Sequence, residues 1–369
     1  MKFSSNRAFV SIMTFVIFSL LSVGNIFASG DSEGNFDAGS MIMHHVTDAH
    51  DIHLMDIGGH AVSIPLPIIM YSSSDGLSVF SSSRFEHGHA EYNGYILHDG
   101  HIYRRDVSQT DDPAGQGYVE ASWGDLTNGK EGAFVDLSIT KTVTGIFITV
   151  LLMFLVFMSV AKAYKRNPGQ APKGMQAVLE PLILFISDEV AKPSIGAKHY
   201  MRFVPFLLTV FFFIWFANML GLIPFIGGFN VTGNIAVTMV LALFTFIITT
   251  VSANKNYWAH IFATPGVPLW LLPLMMPIEI IGMLSKPIVL CLRLFANITA
   301  GHIIILAFMS LIFIFADIYG AGAGYGASLL TMVFAIFMNL MELLVAFLQA
   351  YVFTLLSALY FGMAVEDHH

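Results

Sequence analysis

Residues 203–254 contain no charged side chain, and this absence constrains the fold more than any other feature of the sequence. Across the chain 56% of the residues are hydrophobic and only 11% are charged. A soluble globular chain carries about 25% charged residues. The mean hydropathy is +0.71. A chain of this composition has lipid as its main solvent, which predicts a multi-pass membrane protein.

The apolar runs predict five membrane helices, at 142–161, 203–225, 235–252, 269–316 and 327–363. The Gly- and Asn-containing stretch 226–234 separates the second helix from the third, and a glycine-rich turn at 317–326 separates the last two. Residues 177–190 are apolar but too short and too charged to cross, which favours an amphipathic helix at the interface. The expected fold class is therefore an all-α polytopic membrane protein with a small mixed or irregular N-terminal head.

The N-terminus has the pattern of a secretory signal peptide. Lys2 and Arg7 precede a short apolar stretch, 8–21, and Ala28 is a small residue suited to a cleavage site. We therefore expect residues 1–28 to be removed. The alternative is that the segment stays in place as an anchor.

We expect residues 29–136 to form a soluble head outside the cytoplasm. Residues 137–369 are expected to form the membrane domain. Alternating stretches at 61–71 and 92–103 indicate a few strands and turns. The head holds 17 acidic residues against four Lys or Arg, together with nine of the 14 histidines. The histidine spacing is not that of a zinc motif and no cysteine accompanies it, so we predict no metal site.

Charge also predicts the topology. The loop 162–202 contains seven Lys or Arg and should be cytoplasmic by the positive-inside rule. Five crossings then place the head outside and the acidic tail 366–369 inside. Basic side chains lie at the ends of the predicted helices and not on one face, which excludes a nucleic-acid-binding surface.

The last two predicted helices contain ionisable residues. Glu279, Lys286, Arg293 and His302 fall in the first of them and Glu342 in the second. An arginine at the centre of the bilayer costs at least about 2.5–3.5 kcal/mol, so such a residue is a functional candidate. The alternatives are a packing ion pair of Arg293 with Glu342, and a Lys286 that extends to the membrane surface.

Helical spacing groups further polar residues with these charges. Asn297 shares a face with Arg293, and Asn339 and Gln349 share a face with Glu342. The stretch 269–316 is also about 70 Å long as one helix, more than twice the hydrocarbon thickness. It is therefore either strongly tilted or broken at one of its prolines, which are Pro273, Pro277 and Pro287.

The rise per residue predicts which polar residues lie at the same depth in an antiparallel helix pair. His302 lies about 13 Å beyond Arg293, and Glu342 lies about 10 Å before Gln349. If Gln349 is level with Arg293, then His302 and Glu342 are neighbours. Glu279 lies about 21 Å from Arg293 in the opposite direction and cannot join that pair.

Three ordered motifs resemble those of subunit a of the rotary F-type ATP synthase. They are KPIVLCLRLFANITAGH at 286–302, LQAYVF at 348–353, and NMLGLIP at 218–224, which contains Asn218, Gly221 and Pro224. The resemblance covers roughly 140–369 and does not include the head. Many bacterial members carry an acid at the position of His302 and a histidine at that of Glu342, so this chain has the pair with the roles exchanged.

The resemblance implies roles for these residues. Arg293 would be the essential arginine that faces the rotor ring of c subunits, with Asn297 and Gln349 beside it. His302 and Glu342, with Asn339 on the same polar stripe, would belong to the half-channel open to the outside. Glu279 would belong to the half-channel open to the cytoplasm.

The resemblance also implies a non-catalytic component of a proton-transporting complex in the bacterial inner membrane, without a cofactor. Its partners would be the c ring, the b subunits of the peripheral stalk and, through them, the F1 ATPase. Two other classes of protein compete with this interpretation. A secondary transporter would show internal repeats, and the sequence shows none. A purely structural membrane anchor would leave the membrane arginine unexplained.

Overall fold

The computed structural model describes residues 37–57, 60–88, 90–98, 100–105, 118–128, 133–166, 169–223, 228–262 and 270–366. The predicted signal peptide, 1–28, lies outside the described residues, as does Pro224. The chain divides into two compact units. One consists of Met1–Gly145, Gly221–Phe229 and Ile303–Phe337, and the other of Ile146–Leu220, Asn230–His302 and Met338–His369.

The head is built from short strands and two short α-helices. Helix α1 spans Ala38–Val46 and α2 spans Trp123–Thr127. The eight strands are β1 Asp51–Ile57, β2 His60–Pro65, β3 Pro67–Ser72, β4 Gly76–Ser81, β5 Tyr95–His98, β6 His101–Arg105, β7 Tyr118–Glu120 and β8 Phe134–Asp136. They pair as three small antiparallel sheets with the orders β1-β2, β4-β3-β8 and β5-β6-β7. The strands expected within 61–71 and 92–103 are present.

The core of the head lies between the second and third sheets and the 3-10 helix Ser82–Gly88. It consists of the fully or almost fully buried side chains of Ile68, Met70, Phe85, Tyr95, Ile102 and Phe134. Tyr95 and Phe134 meet edge to face with ring centroids 5.3 Å apart, a favoured aromatic geometry. The head therefore has a hydrophobic core of its own.

Backbone hydrogen bonds connect the head to the start of the first membrane helix. After β8 the chain stays paired with β3, because the amide of Leu137 donates to Ile69 O at 2.8 Å and that of Ile139 to Pro67 O at 3.1 Å. The amide of Lys141 then donates to Ala49 O at 2.8 Å. The backbone is thus hydrogen-bonded to the head from β8 to the first residue of this helix.

Among the described residues, five helices are long and apolar enough to cross a membrane, as predicted. They are α3 Lys141–Arg166, α6 Tyr200–Gly221, α7 Ile235–Ser252, α9 Leu272–Tyr319 and α10 Ala321–Val365. Between the first two lies the predicted interfacial segment, formed by α4 Met175–Leu184, a π-helix Phe185–Ala191 and α5 Lys192–Ile195. Helix α8, Lys255–Phe262, follows the third. The chain is an all-α multi-pass membrane protein with a small β-containing head.

The connection between the last two helices differs from the prediction. We expected a glycine-rich turn over 317–326, but α9 continues to Tyr319 and α10 starts at Ala321. Only Gly320, with φ +86°, leaves the helical conformation. Gly324 serves close packing, since a Cβ there would lie 2.7 Å from that of Ala316, whereas a Cβ on Gly322 or Gly326 would meet no atom within 4 Å.

Helix α9 is continuous although Pro277 and Pro287 lie inside it. Of the two alternatives that its length allowed, a break at a proline is therefore wrong, and a strongly tilted helix stays a prediction. A proline removes one backbone hydrogen bond and bends a helix, but a membrane helix tolerates this when its neighbours support it.

The C-terminal end of α10 is held by two neighbouring segments. Asn254 donates its backbone amide to Ala364 O at 2.8 Å and its side-chain amide to Val365 O at 3.0 Å, which caps the helix. Gly362 lies directly on the backbone of Ser194, and any side chain there would overlap Ser194 O. Phe361 stacks on Phe203 with ring centroids 4.8 Å apart.

Candidate functional site

His302 and Glu342 face each other between α9 and α10. Nδ1 of His302 lies 3.4 Å from Oε1 of Glu342, and the side chains are 23% and 7% exposed, respectively. The sequence-based expectation that these two residues are neighbours is confirmed. The distance is that of a close ion-pair contact, and its geometry is not that of a hydrogen bond. The contact brings one imidazole and one carboxyl group together between the two helices.

The Glu342 carboxyl group is buried among apolar surroundings. Neither of its oxygens accepts a hydrogen bond from any residue that the structure describes. A buried polar group without a partner costs about 1–3 kcal/mol, so its presence calls for an explanation. A carboxyl group that contacts one titratable side chain and lacks fixed donors is suited to gaining and losing a proton.

Gly301 makes room for this carboxyl group. A Cβ built on Gly301 would lie 3.1 Å from Oε1 of Glu342, closer than ordinary side-chain contacts. Our sequence analysis did not assign this residue a role. A glycine inside a helix lowers helix stability by about 1 kcal/mol relative to alanine. A glycine at such a costly position is the signal that could have identified Gly301.

The other polar residues of the α10 stripe lie on either side of this pair. Asn339 lies one turn before Glu342 and is half-buried, whereas Gln349 lies two turns after it and is buried. The stripe therefore continues along α10 in both directions from the His302–Glu342 contact.

Arg293 lies on an exposed stripe of α9. The stripe also contains Leu292, Ala296, Asn297 and Ala300, all of which are exposed. Among the described residues no carboxylate forms an ion pair with Arg293, so the alternative of a packing pair with Glu342 is wrong. The alanines allow the backbone of a partner helix to approach closely beside the guanidinium group.

Asn218, from the third motif, connects three segments of the membrane domain. Its side-chain amide donates to Ala346 O on α10 at 3.3 Å, and its carbonyl oxygen accepts from the Thr232 hydroxyl. Ala346 lies one turn after Glu342. Asn218 thus fixes the part of α10 that presents the buried acid. Gly221 is the last residue of α6.

A small, partly open pocket lies beside the first half of α9. It is lined by Lys286, Pro287, Tyr257, Tyr360, Thr245 and Thr249, among others. The Lys286 ammonium lies 5.5 Å from the centre of the Tyr360 ring, an arrangement that favours a cation. Lys286 is therefore held inside the protein, half-buried.

Glu279 lies seven residues before Lys286 on α9. It interacts electrostatically with Lys286 and Tyr257. Burial, and secondly the negative charge of Glu279, raises the pKa of Tyr257 above its ordinary value. Glu279, Lys286 and Arg293 follow each other at intervals of seven residues and thus share one face of the helix.

Titratable side chains inside long membrane helices define an ion-conducting membrane protein. A sequence model of the family "ATP synthase A chain" matches residues 143–362, more than half of the chain. The chain therefore belongs to the ATP synthase A chain family. A second model, "Domain of unknown function (DUF8433)", matches residues 41–123 in the head.

Curated relatives agree with this assignment. "ATP synthase subunit a 2" of Chlorobaculum tepidum is 48% identical over 247 residues, which cover 65% of this chain and 67% of the relative. "ATP synthase subunit a" of Chloroherpeton thalassium is 45% identical over 241 residues, 63% of this chain and 69% of the relative. The "ATP synthase subunit a" of Myxococcus xanthus is 44% identical over 241 residues, which cover 64% of this chain and 75% of the relative.

Proposed function

We propose that this chain carries protons through the membrane sector of an ATP synthase and couples their passage to the rotation of a ring of c subunits. The observation that carries the proposal is the contrast between two membrane charges. Arg293 is exposed on a small-residue surface without an acidic partner among the described residues, whereas Glu342 is buried against His302.

The role of Arg293 follows from the cost of charge in lipid. A carboxyl group on the rotor is neutral while it faces lipid, because an ionised carboxylate there is strongly disfavoured. When it reaches Arg293, the fixed positive charge favours the ionised form and the proton leaves. Arginine itself does not release a proton in proteins. It therefore separates the two half-channels and prevents a direct proton leak.

The outer half-channel in this proposal passes through His302 and Glu342. Histidine titrates near neutral pH, which suits it to pass protons in both directions. Asn339 and Gln349, on the same side of α10 as Glu342, would orient water along this path, with Asn297 beside the arginine.

The inner half-channel begins, in this proposal, at the pocket lined by Lys286 and Tyr257 and passes Glu279. The positive charge of Lys286 lies between Arg293 and Glu279 along the helix. It would oppose the return of a released proton toward the rotor, while Glu279 attracts it toward the cytoplasm.

The chain performs no covalent chemistry here and is one component of the complex. We propose the c ring, the b subunits of the peripheral stalk and the F1 ATPase as its partners. The head lies outside the cytoplasm and the C-terminus inside, in the bacterial inner membrane. Sequencing the N-terminus of the mature chain tests this arrangement, since a start near Ser29 is expected and a start at Met1 contradicts signal cleavage.

Replacement of Arg293 tests the function itself. Arg293→Ala should abolish ATP-driven proton pumping in membrane vesicles while the complex still assembles. Arg166→Ala is the matched control, because Arg166 is an exposed arginine at the end of α3 and should leave pumping unchanged. Normal coupled pumping by Arg293→Ala would refute the proposal.

A further inference from the structure

Strand β3 carries apolar side chains on both faces of the sheet β4-β3-β8. The inward positions Ile68 and Met70 are completely buried in the core of the head. The outward positions on β3, Ile69 and Tyr71, are apolar or aromatic as well. A sheet with one face in water alternates apolar and polar residues, whereas continuous apolar strands are typical of sheets covered on both sides.

The outward side chains form one continuous patch. In the β3–β4 register Tyr71 is opposite Leu77 and Ile69 is opposite Val79. Leu137 adjoins them, because its amide donates to Ile69 O. Leu77 and Val79 are 65% and 62% exposed, and no residue that the structure describes covers them.

The patch is free of charge although the head is strongly acidic. The two remaining outward positions on β3 and β4 are Pro67 and Ser81, and both are uncharged. The head as a whole has 17 acidic side chains against four basic ones. An uncharged face in such a domain is suited to contact with a lipid surface. Anionic side chains would be repelled from that surface.

The patch is also close to the membrane. The charge-free part of α3 starts directly after Lys141, so the hydrocarbon edge lies near this residue. Leu137 precedes Lys141 by four residues, a distance of at most about 14 Å for an extended chain. Hydrogen bonds from Leu137, Ile139 and Lys141 hold the sheet at the start of the helix.

We propose that the patch of Ile69, Tyr71, Leu77, Val79 and Leu137 lies on the lipid bilayer, in the interfacial layer on the side of the head. Tyr71 suits this layer, because tyrosine is enriched where lipid headgroups meet the hydrocarbon. Contact between this sheet and the bilayer then fixes the orientation of the head relative to the membrane. The proposal concerns only the head and the first helix, and it holds whether or not the proposed proton path is correct.

Spin labelling of the whole complex in phosphatidylcholine liposomes tests this proposal. A nitroxide is attached to Leu77→Cys in a Cys291→Ser background, which removes the one native cysteine. Oxygen dissolves in lipid, while a chelated Ni(II) complex stays in water, so the ratio of their collision rates reports the environment. Val62→Cys is the matched control, since Val62 is an exposed valine on the first sheet.

The label at Leu77→Cys should show an oxygen-to-nickel ratio several-fold above that at Val62→Cys. Equal ratios at both positions would overturn the proposal, because the patch would then face water. A label that neither reagent reaches would overturn it too, because another protein would then cover the patch. If Leu77→Cys prevents assembly, Val79→Cys replaces it and the same outcomes apply.

Discussion

Buried carboxyl groups have opposite hydrogen-bonding environments in the head and in the membrane domain. In the head, Nε2 of the buried His50 lies 2.9 Å from Oδ2 of Asp136, whose other oxygen accepts the Ser138 amide at 2.8 Å. In the membrane domain, Glu342 has two buried oxygens that accept no hydrogen bond from the described residues. The nearby His302 is in contact but not in hydrogen-bonding geometry.

In the proposed function, this difference separates a charge that stabilises the fold from one that moves protons. A carboxylate held by several donors has a fixed protonation state at neutral pH. A buried carboxyl group without such donors lacks the fixed partners that would hold it in the ionised form. The following predictions test that distinction.

Exchange of the membrane pair should have the largest effect on function. His302→Ala or Glu342→Ala should lower ATP-driven proton flux by roughly 100-fold or more, since proton transfer groups contribute at this scale. The exchange His302→Glu with Glu342→His keeps one acid and one imidazole in contact. It should recover much of the flux, measured by pH-dye quenching in inverted vesicles.

The exchange has a clear negative outcome. If the double variant pumps no better than the worse of the single variants His302→Glu and Glu342→His, the two residues do not act as one unit. Amounts of assembled complex must be equal for the comparison to hold.

Gly301 should have an intermediate effect. Gly301→Ala places a methyl group 3.1 Å from the Glu342 carboxyl group, which must move by a few tenths of an ångström. We expect a several-fold loss of proton flux, and a near-complete loss for the larger Gly301→Val. Gly282→Ala on the same helix is the control, since a Cβ there meets no atom within 4 Å. Equal flux in Gly301→Val and Gly282→Ala would show that the contact is irrelevant.

The charged pair of the head should affect local stability and leave pumping unchanged. Burial opposes ionisation of Asp136, but hydrogen bonds from His50 and Ser138 outweigh it and keep the pKa of Asp136 below its ordinary value. Asp136→Asn should therefore destabilise the head by about 1–3 kcal/mol at neutral pH. Hydrogen exchange at 133–142 measures this, with Glu86→Gln as an exposed carboxylate control.

The sign of the pH dependence follows from the lowered pKa. The stabilisation by Asp136 is complete above the pKa of the unfolded chain, about 4, and is lost as the pH falls through the lower pKa of the folded state. The wild-type protection should thus persist down to about pH 4 and decline below it. In Asp136→Asn this step should be absent. An identical acid step in both proteins would assign it to other groups.

The sequence predicted the membrane domain better than the head. Apolar runs such as 235–252 define spans because lipid admits few alternatives to a helix. The contact of His302 with Glu342 followed from the rise of two antiparallel helices. The glycines of 317–326 were misinterpreted as a turn, because Gly324 packs against Ala316 inside a helix and only Gly320 among them leaves the helical conformation.

Other features could not be predicted because they depend on tertiary contacts. The partition of the head into three sheets, and the pairing of β3 with the distant β8, have no local signal. The pocket beside Lys286 depends on how α7, α8, α9 and α10 pack. The role of Asn218 in holding α10 was likewise invisible, since its partners Thr232 and Ala346 are remote in sequence.

The capped C-terminal end of α10 has a mechanical consequence for the proposed function. A stator beside the proposed turning ring would experience a sideways load, and a long helix fixed at neither end would yield to it. Here Asn254 holds the last carbonyl groups of α10, and Gly362 seats the helix against the backbone at Ser194. The load on α10 is thus transmitted through backbone contacts to the short helices around Phe185–Ala191, and the membrane lipid does not have to bear it.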